Sequence, residues 1–197
     1  DATEVESICE AADSIDGPVY CRVLRGSMPR LFSTPIVVGQ MRELSLGADV
    51  LIVTAGITTE EAMRATKALE ASGVSVRHLH LNTIKPFNAK AMLDHINSVK
   101  SGVITLENHV TEGGIGSLVA EIMADNGVGK KLKRLGLNDT YAHGGSRAYL
   151  MRYYGLDALA LTQSVEDLLD QKLDITEEDL ADARVDEVHS LAKAEGL

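Results

Sequence analysis

Apolar runs and amphipathic stretches alternate along the chain from residue 48 onward. Residues 50–53 are a continuous apolar run, typical of a strand covered on both faces. Further strands are predicted at 74–81, 103–106 and 133–137, and the helices between the strands end at Gly73, Gly102 and Gly127. Because strands that alternate with helices favour right-handed crossovers, the pattern predicts a three-layer α/β/α fold with a mostly parallel sheet of about five strands.

The first 25 residues have a different pattern. Thr3 and Glu6 have the spacing of a capping box and predict a helix through Ala12, and residues 19–24 predict a strand after a Gly-Pro break. One helix and one strand cannot bury themselves. Residues 1–25 therefore either dock on the following domain or form the edge of a preceding domain whose remainder is absent from this chain, and we favour the second interpretation.

The other boundaries follow from the same pattern. Residues 26–47 carry prolines and no sustained period, and they predict a linker and lead-in. Residues 48–169 form the main predicted domain, and residues 170–197 an acidic helical tail. Thr176 and Asp179 have capping-box spacing at the start of the tail helix. The residues expected to face inward from it are Leu180, Val188 and Leu191.

Composition narrows the function classes. Among 197 residues, 29 acidic against 19 basic side chains give a formal charge of -10, which disfavours nucleic acid and anionic membranes as partners. No window approaches the run of about 20 apolar residues that spans a bilayer. Cys9 and Cys21 lack CxxC spacing and no signal peptide precedes them, so we expect two buried thiols in a reducing cytoplasm.

Candidate chemistry lies where the predicted third strand meets its helix. Glu107 and His109 are residue types that serve as acid–base groups or metal ligands. The glycines Gly113, Gly114 and Gly116 precede a helix, where free amides can cradle an anion. The alternatives are a carboxylate that stabilises the helix dipole and glycines that allow a tight turn. We predict a candidate anion or regulator site here, with no catalytic residue and no metal site.

Two basic side chains flank the end of the predicted strand 19–24. Arg22 and Arg25 have the chemistry to hold a phosphate or carboxylate, although a surface or interdomain ion pair explains them equally well. Residues 143–146, His-Gly-Gly-Ser, are also ambiguous, because loop glycines with a serine helix cap explain them without catalysis.

The ordered series of motifs resembles the C-terminal domain shared by transketolases, deoxyxylulose-phosphate synthases and the β subunits of 2-oxo-acid dehydrogenase E1 components. The stretches that carry the resemblance are 48–56, 60–62, 69–74, 81–88, 107–109, 113–116, 135–139, 143–146 and 154–157. Residues 17–26 resemble the last strand of the pyrimidine-binding domain that precedes it in this superfamily. Each motif is weak alone, and their order and spacing are the specific signal.

The resemblance implies a site and a cofactor. Arg25 matches the position of an arginine that helps bind the substrate phosphate in transketolases and deoxyxylulose-phosphate synthases. Family members hold thiamine diphosphate and Mg through a Gly-Asp-Gly motif with a downstream Asn, together with a glutamate of the pyrimidine domain. This chain contains no Gly-Asp-Gly. The cofactor is therefore expected in the complete enzyme and not on this chain alone.

The function implied is that of the C-terminal portion of a transketolase-type enzyme, which moves two-carbon ketol units between sugar phosphates. We expect a structural, homodimer-forming role in partnership with the remaining thiamine-diphosphate-binding domains or subunit, and no activity alone. One alternative is the corresponding domain of a deoxyxylulose-phosphate synthase or E1 β subunit, acting as a partner-docking or regulator-binding module. Another is a free-standing domain that binds a small ligand.

Overall fold

The computed structural model describes residues 1–24, 26 and 28–182. The strands are β1 (Met41–Leu46), β2 (Val50–Thr54), β3 (Val76–Leu81), β4 (Gly102–Val110) and β5 (Lys131–Leu137). The helices are α1 (Ala2–Asp13), α2 (Thr58–Ala71), α3 (Ala89–Ser98), α4 (Ile115–Asp125), α5 (Arg147–Tyr153), α6 (Ala158–Leu169) and α7 (Glu177–Asp182). None of the helices in these described ranges is long and apolar enough to cross a membrane.

The strands form one sheet in the order β1-β3-β2-β4-β5. Strands β2, β3, β4 and β5 are parallel, and β1 pairs with β3 in the antiparallel direction. Helices link the parallel strands, as the alternation of strand and helix patterns predicts. The mostly parallel α/β/α fold of about five strands is confirmed.

The central strand β2 is buried on both faces, as its continuous apolar run indicates. Val50 and Ile52 pack into a core that includes side chains of α2 and α6. Leu51 and Val53 face the opposite way, into a core that includes side chains of α3 and α4. The sheet therefore lies between two helical layers, and its carboxyl-end edge remains available for polar side chains.

The edge strand β1 is absent from the sequence prediction. It lies in the segment predicted as linker and lead-in, and it reads Met-Arg-Glu-Leu-Ser-Leu with no fully buried position. An edge strand is paired on one side only and needs no continuous apolar run, so its sequence resembles that of a loop. β1 is also bulged between Glu43 and Ser45.

Helix α1 is confirmed, but its capping differs from the prediction. The side chain of Asp1 accepts a hydrogen bond from the amide of Glu4, so Asp1 and not Thr3 is the cap. Thr3 is buried and donates its hydroxyl hydrogen to the carbonyl oxygen of Phe32 at 2.5 Å. The predicted capping residue instead holds the helix against the segment that leads into β1.

The strand predicted at 19–24 is not formed within the part of the chain that the structure describes. Residues 18–24 have no regular secondary structure, and Val19, Tyr20 and Val23 are exposed. A strand needs a neighbour to satisfy its amides and carbonyls. None of the five described strands pairs with this segment.

The burial predicted for the two cysteines is also wrong. Cys9 is exposed on α1, whose buried positions are Thr3 and Glu4, and Cys21 is exposed in the segment that forms no strand. The start of the tail does follow the prediction. Thr176 and Asp179 cap α7 reciprocally and Leu180 is buried. The remaining predicted inward positions, Val188 and Leu191, lie outside the described residues.

Candidate functional site

Glu107 lies inside β4, because this strand continues through Val110 beyond the predicted end at residue 106. Its side chain is 1% exposed and points toward the first turn of α4. Oε1 accepts the amide hydrogen of Gly116 at 2.7 Å, and Oε2 accepts that of Ile115. A carboxylate at this position satisfies two helix amides and complements the helix dipole.

His109 completes this cluster. Its Nε2 lies 3.0 Å from Glu107 Oε2, and its Nδ1 lies 2.7 Å from the carbonyl oxygen of Val110. The sequence brings Glu107 and His109 together because they are two positions apart on one strand and share a face of the sheet. The amides predicted to cradle an external anion are therefore occupied by an internal carboxylate.

The glycines of this loop have separate packing and backbone roles. A Cβ on Gly114 would overlap His109 and Glu107, and a Cβ on Gly116 would lie 2.7 Å from Thr105 Oγ1. Gly113 has a φ of 72°, in the left-handed region that favours glycine. The amide of Gly113 donates to Ser117 Oγ at 3.0 Å.

A second polar cluster, which the sequence analysis does not anticipate, lies on the other face of the sheet. His80 of β3 is 1% exposed, and its Nε2 lies 3.0 Å from Oε2 of Glu4. Oε1 of Glu4 accepts a hydrogen bond from Arg42 Nε at 2.8 Å. The other ring nitrogen of His80 lies 2.7 Å from Thr59 Oγ1. The cluster joins α1, β1, β3 and α2.

The electrostatics of this cluster hold Glu4 ionised. Burial of the carboxyl, which by itself raises its pKa, is outweighed by hydrogen bonds from His80 and Arg42 and by the charge of His80, so the pKa falls to about 2. The ring of Phe32 packs against both basic side chains, with its centroid 4.6 Å from Arg42 Cζ and 5.0 Å from the centroid of the His80 ring.

His78, two positions before His80, is also buried. Burial, assisted by the charge of His80, lowers the pKa of His78 to about 3. Its Nε2 lies 2.9 Å from Thr54 Oγ1, whereas its Nδ1 has no hydrogen-bond partner. The period-2 spacing of the two histidines places both on one face of β3, and this was the only sequence signal for the cluster.

The remaining candidate residues are dispersed. Arg25 lies outside the described residues, and Arg22 is exposed in the irregular segment. Ser146 caps α5 by accepting the amide hydrogen of Tyr149, as the structural alternative for residues 143–146 predicts. Arg147, the next residue, lies 3.9 Å from the sulfur of Met28, so the loop before α5 approaches the linker that follows Arg25.

The described residues do not fit a metal-dependent cofactor. Within 1–24, 26 and 28–182, no three His, Cys, Asp or Glu side chains are grouped as metal ligands. The carboxylates of Glu4 and Glu107 are committed to internal donors. We therefore assign no step of cofactor chemistry to this part of the chain.

Comparison with known protein families assigns this α/β domain to a family. A family model described as the transketolase C-terminal domain matches residues 39–161. The chain belongs to the transketolase C-terminal domain family. The match includes β1 and all the parallel strands, and it contains both polar residues of the Glu107–His109 pair.

Relatives and a solved structure agree with this assignment. A putative transketolase C-terminal section from Methanocaldococcus jannaschii is 34% identical over 76% of this chain and 47% of the relative. A 1-deoxy-D-xylulose-5-phosphate synthase from Halothermothrix orenii is 33% identical over 87% of this chain and 28% of the relative. A structure titled as the inactive β4 tetramer of a split-gene transketolase has a TM-score of 0.79 at 32% identity, covering 87% of this chain and 56% of that one. The chain spans about half or less of each of these proteins.

Proposed function

We propose that this chain is the C-terminal portion of a thiamine-diphosphate-dependent transketolase-type enzyme, and that it is inactive without the cofactor-binding domains. The observation that carries the proposal is the match of residues 39–161 to the C-terminal domain, in a chain that spans only 47% of a relative named as a C-terminal section. The complete enzyme would move two-carbon ketol units between sugar phosphates. Thiamine diphosphate and Mg would bind to the other domains or subunit.

The role of this portion is structural. It supplies a rigid α/β/α domain and fixes the preceding helix α1 to that domain through the buried Glu4 carboxylate. Residues 1–25 would then be the end of the pyrimidine-binding domain, and the exposed apolar residues of 19–24 would pair with strands of its remainder. We also propose a cytoplasmic homodimeric assembly. The β4 tetramer named for the split-gene relative supports self-association in this family.

Arg25 is proposed to bind the phosphate of the sugar substrate. The approach of Arg147 to Met28 supports a position for this linker beside the loop that precedes α5. In the enzyme reconstituted with its partner, Arg25→Ala should raise KM for a sugar phosphate at least tenfold with a smaller effect on kcat, because a lost charged contact costs about 1.5–3 kcal/mol. Arg22→Ala is the matched control and should leave KM within a factor of two. Equal effects of both substitutions would refute the assignment of Arg25.

The function of the whole chain has a separate test. Isothermal titration of thiamine diphosphate with Mg into the purified chain should show no heat of binding at micromolar concentrations. The same titration should show binding once a partner carrying a Gly-Asp-Gly motif is added. Micromolar binding by the chain alone would contradict the proposal, which assigns the cofactor to the other domains or subunit.

A second candidate, the C-terminal domain of a deoxyxylulose-phosphate synthase, is favoured by the 33% identity to such a synthase over 87% of this chain. Product analysis distinguishes the two, because the synthase would release 1-deoxy-D-xylulose 5-phosphate, whereas ketol transfer would release other sugar phosphates. A regulator site at Glu107, His109, Gly113, Gly114 and Gly116 stays a prediction. The internal bonds of Glu107 argue against an anionic regulator there.

A further inference from the structure

Helix α4 ends in a turn that depends on a glycine. Gly127 has a φ of 63°, in the left-handed region, and its amide donates to the carbonyl oxygen of Ala124 at 3.2 Å. The amide of Val128 donates to the carbonyl oxygen of Met123 at 2.8 Å, and the Val128 side chain packs against the core cluster that contains Met123. These contacts form a Schellman motif, in which a glycine follows the C-cap residue of the helix.

The C-cap residue of α4 is Asn126, and it is bonded into the same turn. It is exposed, and its Nδ2 donates to the carbonyl oxygen of Ile122 at 2.8 Å. Of the six asparagines in the chain, Asn126 is the only one that glycine follows directly. Gly127 is also exposed, and a Cβ added to it would meet no atom within 4 Å. A side-chain amide therefore lies next to a peptide nitrogen that no side chain shields.

We propose that Asn126 is a site of spontaneous deamidation, and that the end of α4 controls its rate. The Gly127 nitrogen attacks Cγ of Asn126, and the new bond between them closes a succinimide ring. The bond between Cγ and Nδ2 breaks, and Nδ2 leaves as ammonia together with the hydrogen of the Gly127 amide. Water then opens the ring at either carbonyl carbon, which gives an aspartate or an isoaspartate. Asparagine is among the thermolabile residues, and glycine removes the steric hindrance to the first step.

The native turn restrains this reaction. A ψ of 9° at Asn126 places the Gly127 nitrogen beside the backbone nitrogen of Asn126, whereas ring closure requires it on the side of Cβ. Rotation about this bond breaks the hydrogen bonds that the Gly127 amide and Asn126 Nδ2 donate. The reaction in the folded chain therefore proceeds through local opening of the last turn of α4, an event at the low end of the unfolding free energies within a protein.

Deamidation changes how α4 ends. An aspartate carboxylate cannot donate to the carbonyl oxygen of Ile122, and it adds a negative charge next to Asp125 at the negative end of the helix dipole. An isoaspartate lengthens the main chain and displaces the Val128 amide from the Met123 carbonyl oxygen. Both products weaken the C-terminal end of the helix whose first turn binds Glu107.

The first test uses the unmodified full chain, incubated in 18O-labelled water at mildly alkaline pH. Peptide mapping by mass spectrometry should show 18O-labelled aspartate and isoaspartate at position 126, formed several times faster than any product at Asn97. Asn97 is the internal control, because it is also exposed in the last turn of a helix but is followed by Ser98. A chain in which Asn126 stays intact, or yields aspartate without isoaspartate, would overturn the proposal, since opening of the succinimide gives both.

The second test loosens the turn and leaves both reacting groups in place. Val128→Ala removes part of the apolar contact of the Schellman motif and should raise the rate of conversion at Asn126 by roughly two- to tenfold. Val5→Ala, at an exposed position of α1, is the matched control and should leave the rate unchanged. Unfolding of the wild-type chain in urea should raise the rate at least as much as Val128→Ala. Equal rates in the native chain, the Val128→Ala chain and urea would contradict control by the end of α4.

Discussion

The carboxylate of Glu4 lies 3.0 Å from Nε2 of His80, although 76 positions separate the two residues in the chain. Glu4 is on α1, which precedes the family-matched region, and His80 is on a strand inside it. The bond therefore connects a helix that we assign to the preceding domain with the sheet of the following one. Because both side chains are almost fully buried, breaking it leaves unpaired polar groups away from water.

Glu4→Gln should destabilise the protein at neutral pH. The pKa of Glu4 lies near 2, below the ordinary 4.5, so the folded state binds fewer protons than the unfolded state between these values. The stability from this shift, on the order of 3 kcal/mol, is complete above pH 4.5 and is lost as pH falls toward 2. Urea denaturation at pH 7 and at pH 3 should show a large difference between wild type and variant at pH 7 and a smaller one at pH 3.

The control for that experiment is Glu10→Gln, the same change at an exposed position of α1. It should leave the free energy of unfolding within about 0.5 kcal/mol of wild type at both pH values. An equal loss of stability in Glu4→Gln at pH 7 and pH 3 would show that the carboxylate charge does not stabilise the cluster.

His78→Leu should make the stability less dependent on pH between 6.5 and 5. Burial lowers the pKa of His78 to about 3, so below pH 6.5 the unfolded chain binds a proton that the folded chain does not. This contribution to stability is lost as pH falls from 6.5 toward 3. Chemical denaturation across this interval measures how steeply the free energy of unfolding changes with pH. Burial also lowers the pKa of His95, but His95 is present in both proteins, so its contribution to the slope is the same in each.

Thr54→Val separates titration from packing in the same experiment. It removes the hydroxyl that lies 2.9 Å from His78 Nε2 but keeps the histidine. The Val variant should lose stability, by about 1–3 kcal/mol, and retain the pH slope of the wild type. If the His78→Leu protein keeps the full slope as well, other groups govern the acid sensitivity.

Gly114→Ala should destabilise the protein by about 1–3 kcal/mol or more, because the added methyl group overlaps His109 and Glu107. Gly129→Ala is a suitable comparison, since a Cβ at Gly129 meets no atom within 4 Å. Thermal unfolding followed by circular dichroism should show a lower Tm for the first variant only. A Tm of Gly114→Ala equal to that of the wild type would mean that Glu107 and His109 can move away from the added methyl group without loss of stability.

Asp157→Ala should weaken the start of α6. Oδ1 of Asp157 accepts the amide hydrogen of Ala160 at 3.0 Å, and loss of such a cap costs about 1 kcal/mol. For a chain of this size we expect Tm to fall by roughly 2–4 °C. Asp125→Ala, at the exposed end of α4, removes a carboxylate without removing a cap and should not lower Tm.

Local features of the fold could be predicted from the sequence. The apolar run at 50–53 predicts β2, and Ser146 caps the helix that it precedes. Thr58 and Glu61 have capping-box spacing, but Thr58 does not cap α2. The N-cap is Ile57, and the Thr58 hydroxyl lies 2.9 Å from the Leu106 carbonyl oxygen. A capping box describes one helix in isolation, whereas here a neighbouring strand competes for the hydroxyl.

The two polar clusters also differ in how far they could be predicted from local sequence. Glu107 and His109 were predicted together because they are close in sequence, in the turn after the predicted strand 103–106, whereas the structure places both on β4 itself. The contact between Glu4 and His80 has no local signal. It depends on the packing of α1 beside β3. That packing requires the strand order of the sheet and the hydrogen bond between Thr3 and Phe32, which holds the segment after α1 against the helix.

The docking of α1 has a practical consequence for protein engineering. A split or fusion junction at residue 26, where the sequence changes character, would separate Thr3 and Glu4 from Phe32, Arg42 and His80. The shortened protein would present an aromatic ring and a histidine to water and leave a guanidinium without its carboxylate. A junction placed before α1 keeps these groups in one polypeptide and is the safer choice for preparing or recombining this domain.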